Sequence, residues 1–182
     1  MRLSGRILSK AVFLDRDGVI NKPIIVKGKG YAPRLLKDFK IFPKVKNDVK
    51  KLKSNGFKVF VVTNQPDIAN KLMKKKTLND MHKLLKKKIP VDKIFYCPHN
   101  KSDKCKCRKP NPGMIIKATK NSKIYLKDSY MIGDRAIDIE AGFRAGCRTI
   151  FIKNNYLEEK PLKQEKTVKS LNGAVKYILK KN

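Results

Sequence analysis

The chain has 182 residues, with 45 lysines and arginines against 15 acidic residues, a formal net charge of +30 and 41% apolar residues. That length suits one domain that buries roughly two thirds of its unfolded surface, and the apolar fraction excludes wholesale disorder. The first apolar run is broken at once by Asp15 and Arg16, so neither a signal segment nor a membrane span is expected.

The charge points toward anionic partners in general. Yet the lysines are spread from Lys10 to Lys181, and few aromatics interleave the basic runs. A single-strand nucleic-acid platform needs those aromatics for stacking. The lysines read as solvated helix faces.

In chain order, "KAVFLD", "FKVFVVTNQ", "KIFYCP", "SYMIGD" and "CRTIFIKN" are short apolar runs ending in polar residues. They suit parallel strands buried on both faces. Helical patterns lie between them. Val45, Val49 and Leu52 recur at helical spacing before a stop at Gly56. "TLNDMHKLLKKK" begins with Thr77 and Asp80 in capping-box spacing, with Leu78, Met81 and Leu85 on one face. Asn111 is the expected N-cap, and Pro112 the first residue, of a helix over "NPGMIIKATK". "RAIDIEAGFRAG" stops at Gly146. Residues 154–166 read as a loop, and about 167–181 as a terminal helix with a stripe of Val168, Leu171, Val175, Ile178 and Leu179. Alternating strands and helices predict an α/β fold, a doubly wound three-layer α/β/α arrangement on a parallel sheet. Its ligands should bind at the carboxyl ends of the strands. One domain over 1–182 is expected, with its core at about 10–153.

Scarce carboxylates are concentrated at two strand ends. Asp15 and Asp17 follow the first strand in "FLDRDGVIN", and Asp134 and Asp138 follow a later one in "MIGDRAIDIEAG". One Asp after a strand is ordinarily a helix cap. Two Asp-rich strand ends instead suit a magnesium ion, which takes hard oxygen ligands. Thr63 and Asn64 in "VVTNQ" stand at another strand end where both can bond a phosphate, and Lys109 in "RKPNPGM" precedes a helix start.

Those four segments resemble the motifs of the haloacid dehalogenase superfamily of phosphatases. Within it, Asn21 together with a Cys/His cluster running into "CRKPNPGM" resembles the D-glycero-D-manno-heptose 1,7-bisphosphate 7-phosphatases, with the histidinol-phosphate phosphatases next. The resemblance spans residues 10–153 and implies magnesium-dependent hydrolysis of a small sugar phosphate through an aspartyl phosphate. It implies Asp15 as nucleophile and Asp17 as general acid and base, with Thr63 and Lys109 stabilising charge. Arg108 and Arg135 would recognise substrate, while Asn64 and Gln65 would line the pocket. Magnesium would be held by Asp15, the Asp17 backbone carbonyl and Asp134, with Asp138 as an orienting or helix residue. A cytoplasmic monomer without a large cap domain is expected.

The soft ligands Cys97, His99, Cys105 and Cys107 follow C-x-H-x5-C-x-C spacing. A Cys₃His set makes a closed tetrahedral zinc shell, which marks a structural site. No C-x-x-C redox pair is present, nor the long helix between ligand pairs of a nucleic-acid finger. The 97–107 loop is therefore read as a zinc-braced element that carries Arg108 and Lys109 to the phosphate pocket. Cys147 reads as a buried core thiol and His82 as a helix-surface residue. The segment "KPIIVKGKG" and Pro66-Asp67 with Lys71 depart from the heptose pattern on the substrate side. Residues 22–34 and the zinc loop should be the only lids. Histidinol-phosphate phosphatase and polynucleotide 3′-phosphatase are the enzymatic alternatives. A basic zinc-stabilised nucleic-acid-binding module is the non-catalytic one, and it leaves the four motifs unexplained.

Overall fold

In chain order the strands are β1 (Arg2–Leu3), β2 (Arg6–Ile7), β3 (Lys10–Leu14), β4 (Ile24–Val26), β5 (Lys29–Tyr31), β6 (Phe57–Asn64), β7 (Lys93–Cys97), β8 (Tyr130–Gly133), β9 (Arg148–Ile152) and β10 (Lys166–Val168). The helices are α1 (Val45–Ser54), α2 (Lys75–Lys88), α3 (Gly113–Thr119), α4 (Ala136–Ala145) and α5 (Leu171–Lys181). This is a computed structural model, and it describes residues 2–3, 6–7, 9–120 and 123–181.

Six strands form one sheet in the order β10-β9-β8-β3-β6-β7, every neighbouring pair parallel. The chain moves outward from β3 through β6 to β7, then returns to β8 on the other side of β3. The β3/β8 boundary is thus a topological switch point, where the loops diverge and leave a crevice. Five strands match the five apolar runs of the sequence. Those runs are apolar throughout because both sheet faces are covered. Val12 and Leu14 pack with α1, α2 and α5, whereas Ala11 and Phe13 point to the layer of α3 and α4. The architecture is the expected three-layer α/β/α.

Three local expectations are corrected. The terminal helix starts at Leu171, not near 167. Lys166–Val168 instead pairs with Ile150–Ile152 as the sixth strand, and Val168 leaves the helical stripe. Ser170 Oγ accepts from the Gly173 amide at 3.3 Å, so the cap falls after that strand. Helix α2 begins at Lys75, before the expected capping box. Thr77 is therefore interior, and Asp80 pairs with Lys76 one turn earlier at 3.2 Å. The α3 cap position is Pro112, while Asn111 donates its side-chain amide to the Cys105 carbonyl at 2.9 Å. For the terminal helix, pairing of Lys166–Val168 with β9 outweighed the helical pattern, while Asp80 and Asn111 are taken up by nearby partners other than the expected caps. Gly146 does end α4, in the left-handed conformation with φ of 82°.

Small antiparallel elements stand apart from the sheet: β1 with β2, and the hairpin of β4 with β5. No large cap is inserted among the described residues, and none of their helices is long and apolar enough to cross a membrane.

Leu78, Met81 and Leu85 are fully buried and hold α2 to the sheet. Leu78→Ala should lower unfolding free energy by about 2–5 kcal/mol through lost burial and the cavity left behind. Chemical denaturation should show an earlier midpoint with an unchanged slope.

Candidate active site

Register brings the acids together. Leu14 on β3 lies level with Ile132 on β8 and Val61 on β6, and the Asp15 amide donates to the Ile132 carbonyl at 2.9 Å. Asp15 and Asp134 therefore emerge side by side at the switch point. Ligand oxygens of Asp15, Asp134 and Asp138 all lie within 4.8 Å of one another, and all three residues are buried. Gly18 is needed here twice over. Its φ is +93°, and a Cβ there would stand 1.9 Å from Asp134 Oδ2.

Lys109 reaches this cluster from the far side of the crevice. Its Nζ lies 2.6 Å from Asp15 Oδ1, 2.7 Å from Asp138 Oδ1 and 2.7 Å from the Val62 carbonyl. All three ammonium donors are used. The Lys109 backbone is clamped by Asn64, whose Oδ1 accepts from the Lys109 amide and whose Nδ2 donates to its carbonyl, both at 3.1 Å. Asn64 was expected to offer its amide to a phosphate; the structure uses that amide to hold Lys109.

Burial, reinforced by Asp138 and Asp17 and opposed by Lys109, pushes the Asp15 carboxyl up to about 6. Burial, with Asp15 and Asp138 nearby, carries Asp134 well above the usual carboxylate range. Against the cost of burial, Asp138 and Asp15 hold Lys109 above its ordinary value. Asp134 Oδ1 is also buried without a hydrogen-bond partner among the described residues. A hard divalent cation fits this donor set. Asp138 is less available, since its Oδ2 accepts from the Arg135 amide at 3.0 Å while Oδ1 faces Lys109.

Asp17 sits at the edge of the cleft in a cage of donors. Arg16 grips its carboxylate through Nε at 3.2 Å and Nη2 at 2.9–3.0 Å. Asn21 Nδ2 donates to Oδ1 at 2.9 Å, and Gln65 Nε2 to Oδ2 at 2.8 Å. Gln65 also donates to Thr63 Oγ1 at 2.9 Å, leaving the Thr63 hydroxyl hydrogen for an anion. Gln65 is fully buried behind this cage, so its expected place on the pocket wall is corrected.

Cys97, His99, Cys105 and Cys107 converge, with Sγ–Sγ and Sγ–Nδ1 separations of 3.2–3.5 Å. Such spacing is near the edge length of a zinc tetrahedron, so the four donors fit that ion. Arg108, one residue on, donates from Nη1 to the His99 carbonyl at 3.0 Å and lines the cleft. Cys147 is buried, as expected, and burial raises its thiol to about 12.

The cleft above the acids has a volume of about 820 Å³ and is walled by Lys29, Arg34, Lys101, Arg108 and Arg135 as well as Asp67, Asn70 and Glu158. Residues 22–34 form one lid through the β4–β5 hairpin, as expected. A third lid segment was not. Leu157 donates its amide to the Gly28 carbonyl at 2.8 Å, and Arg135 bonds the Gly30 carbonyl and pairs with Glu158 at 3.3 Å. A Cβ on Gly30 would lie 2.9 Å from the Tyr156 ring. The Tyr156 hydroxyl and Asp134 Oδ2 both stand beside Gly18, and Asn154 Nδ2 donates to the Asp134 carbonyl at 2.7 Å. Sequence spacing carried no sign of this segment beyond its polar character. Arg34 further clips the hairpin to Asp67 at 2.8 Å. His82, read as a surface residue, is half-buried against Arg16.

Comparison with known proteins agrees with this geometry. The family profile of haloacid dehalogenase-like hydrolases matches residues 21–152. The chain belongs to the haloacid dehalogenase-like hydrolase family. It is 36% identical over 165 residues to a D-glycero-alpha-D-manno-heptose-1,7-bisphosphate 7-phosphatase of Photorhabdus laumondii, covering 84% of this chain and 87% of that one. A D-glycero-beta-D-manno-heptose-1,7-bisphosphate 7-phosphatase of Helicobacter pylori is 35% identical over 162 residues, covering 85% and 87%. Among solved structures, the D,D-heptose 1,7-bisphosphate phosphatase of B. bronchiseptica, complexed with magnesium and phosphate, superposes with a TM-score of 0.81 at 26% identity. That match covers 95% of this chain and 99% of the other. Family and relatives make this chain a phosphatase, and the reading as a non-catalytic nucleic-acid module is set aside.

Protons compete with any cation for Asp15 and Asp134, whose affinities for a proton are raised. Magnesium binding should therefore weaken as pH falls through about 6, with proton release on binding near that pH. Calorimetry in buffers of different ionisation enthalpy checks this.

Proposed function

We propose that this phosphatase removes the 7-phosphate from D-glycero-D-manno-heptose 1,7-bisphosphate in the synthesis of surface-polysaccharide precursors, using magnesium. The observation that carries the reading is the convergence of the Asp15, Asp134 and Asp138 carboxylates beside Lys109 under a cleft ringed with cations. The named relatives act on that bisphosphate, and the cleft offers separate cations for two phosphates: Lys109 at the acids, and Lys29, Lys101, Arg108 and Arg135 around the rim.

In the first half-reaction an oxygen of the Asp15 carboxylate attacks phosphorus. The bond from phosphorus to the sugar oxygen breaks, and that oxygen takes a proton from Asp17. In the second half, Asp17 removes a proton from water as its oxygen attacks phosphorus. The phosphorus–Asp15 bond then breaks and inorganic phosphate leaves. As the Asp15 carboxylate gives up its charge to phosphorus, Lys109 turns one N–H from it and, with Thr63, donates to the equatorial oxygens, where negative charge is concentrated in the transition state. Asp15, the Asp17 carbonyl and Asp134 would hold magnesium, which supplies Lewis-acid charge at the transferred group. Asp138 balances Lys109 and fixes the start of α4.

Zinc on Cys97, His99, Cys105 and Cys107 would brace the polar loop that delivers Arg108 and Lys109. Apparent binding free energies of roughly 10–16 kcal/mol are ample for ordering so short a segment. Three adjacent thiols kept as ligands suit a reducing, cytoplasmic compartment.

Asp15→Asn should lower turnover by about 10³-fold or more, as loss of a nucleophile does. Parallel assays of heptose 1,7-bisphosphate, histidinol phosphate and a 3′-phosphorylated oligonucleotide should give the highest kcat/KM for the heptose. Preferential turnover of either other compound overturns the substrate assignment.

Chelating zinc should raise KM about tenfold or more and increase amide exchange in residues 98–109, leaving β3 and β8 protected. Unchanged exchange and KM would remove the bracing role.

A further inference from the structure

The fully buried Arg16 uses Nε and Nη2 on Asp17, leaving Nη1 to point the other way. There it meets Nε2 of His82 on α2 at 3.3 Å. A guanidinium only donates, so His82 Nε2 must be the acceptor and its proton must sit on Nδ1. The imidazole rests against Tyr96 on β7, with ring centroids 5.6 Å apart, and the guanidinium lies over Phe39 at 5.3 Å. Charged groups facing His82 are Arg16 and Asp17. Burial, and then Arg16, hold its pKa down to about 4, which agrees with a neutral acceptor.

We infer that His82 is a positioning residue for catalysis: it anchors the Arg16 fork, and through that fork sets where the Asp17 carboxylate stands. The inference rests on the assignment of Asp17 as acid and base in the proposed function. The cage is built for the ionised carboxylate. Asn21 and Gln65 both turn N–H toward it and leave Asn21 Oδ1 and Gln65 Oε1 buried without hydrogen-bond partners among the described residues. An ionised Asp17 is the state that takes a proton from water in the second half-reaction. With His82 truncated, Nη1 is left buried beside an apolar group. The fork is then free to rotate toward another acceptor, taking the carboxylate with it.

This role separates the two half-reactions. With p-nitrophenyl phosphate the leaving phenolate needs no proton, so transfer of phosphate to Asp15 is insensitive to Asp17, whereas hydrolysis of the aspartyl phosphate is not. In magnesium-loaded enzyme, rapid mixing should show that His82→Leu keeps the first-turnover burst of nitrophenolate. Steady-state kcat should fall about tenfold or more. His82→Asn, too short to reach Nη1, should behave alike. His82→Gln, whose amide oxygen can accept, should recover most of the steady-state rate. Circular dichroism and thermal unfolding identify which variants are folded. A His82→Leu or His82→Asn enzyme with steady-state turnover within twofold of the parent overturns the inference. So does a burst that falls in parallel with turnover, or a His82→Gln enzyme as slow as His82→Leu. Asp17→Asn is the control. If it turns over like the parent, the acid–base assignment itself has failed. If it is inactive in steady state while His82→Leu is not impaired, only the role of His82 is lost.

Discussion

A single ammonium between two buried carboxylates is the interaction on which the rest of this molecule turns. Lys109 meets Asp15 and Asp138 at 2.6 and 2.7 Å in a site where Asp134 is also buried. With all three acids ionised, one lysine would leave two negative charges uncompensated, which is why Asp15 and Asp134 hold protons more tightly than usual. Burying such charge is costly unless it is paired or coordinated. Elsewhere the chain carries a large cationic excess. Asp15, Asp134 and Asp138, three of the 15 acidic residues, meet where a cation and a phosphoryl group can use them.

Holding Lys109 in that place requires a frame reaching well beyond the sheet. Asn64 at the end of β6 clamps its backbone, and the Cys/His loop that precedes it is tied through Arg108 to the His99 carbonyl. A long flexible side chain placed by its backbone loses less freedom on reaching its partners than one that must search for them. In the proposed function the Cys₃His cluster, away from the reacting atoms, stiffens that frame when it holds zinc.

On the opposite wall, the hairpin of β4 and β5, Arg135 and the 154–158 segment interlock over the cleft. Tyr156 stands beside Gly30 of the hairpin and its amide donates to Asn154, which in turn bonds Asp134, so lid and acid cluster are joined through these residues. Among the described residues no large cap is inserted, and these short segments wall the cleft instead.

The sequence by itself determined the sheet, the strand ends and the chemistry placed on them. Apolar runs buried on both faces have few alternatives; Asp15, Asp17 and Asp134 follow such runs directly, Thr63 ends one, and the Cys/His set and Lys109 lie in the segment from the end of β7 to α3. Only the tertiary structure decided how those residues divide their hydrogen bonds. Gln65 looks like a pocket residue in the sequence, yet it is buried with its amide turned to Asp17, while Asn64 does line the cleft but spends its amide on Lys109. His82, Tyr156 and the β10 strand were illegible for the same reason. Their partners Arg16, Asp134 and β9 lie 66, 22 and 16 residues away in sequence, by the respective pairings His82–Arg16, Tyr156–Asp134 and Lys166–Ile150. Local propensity reports a residue's own backbone preference, while the partner of a polar side chain is fixed only when distant segments have packed.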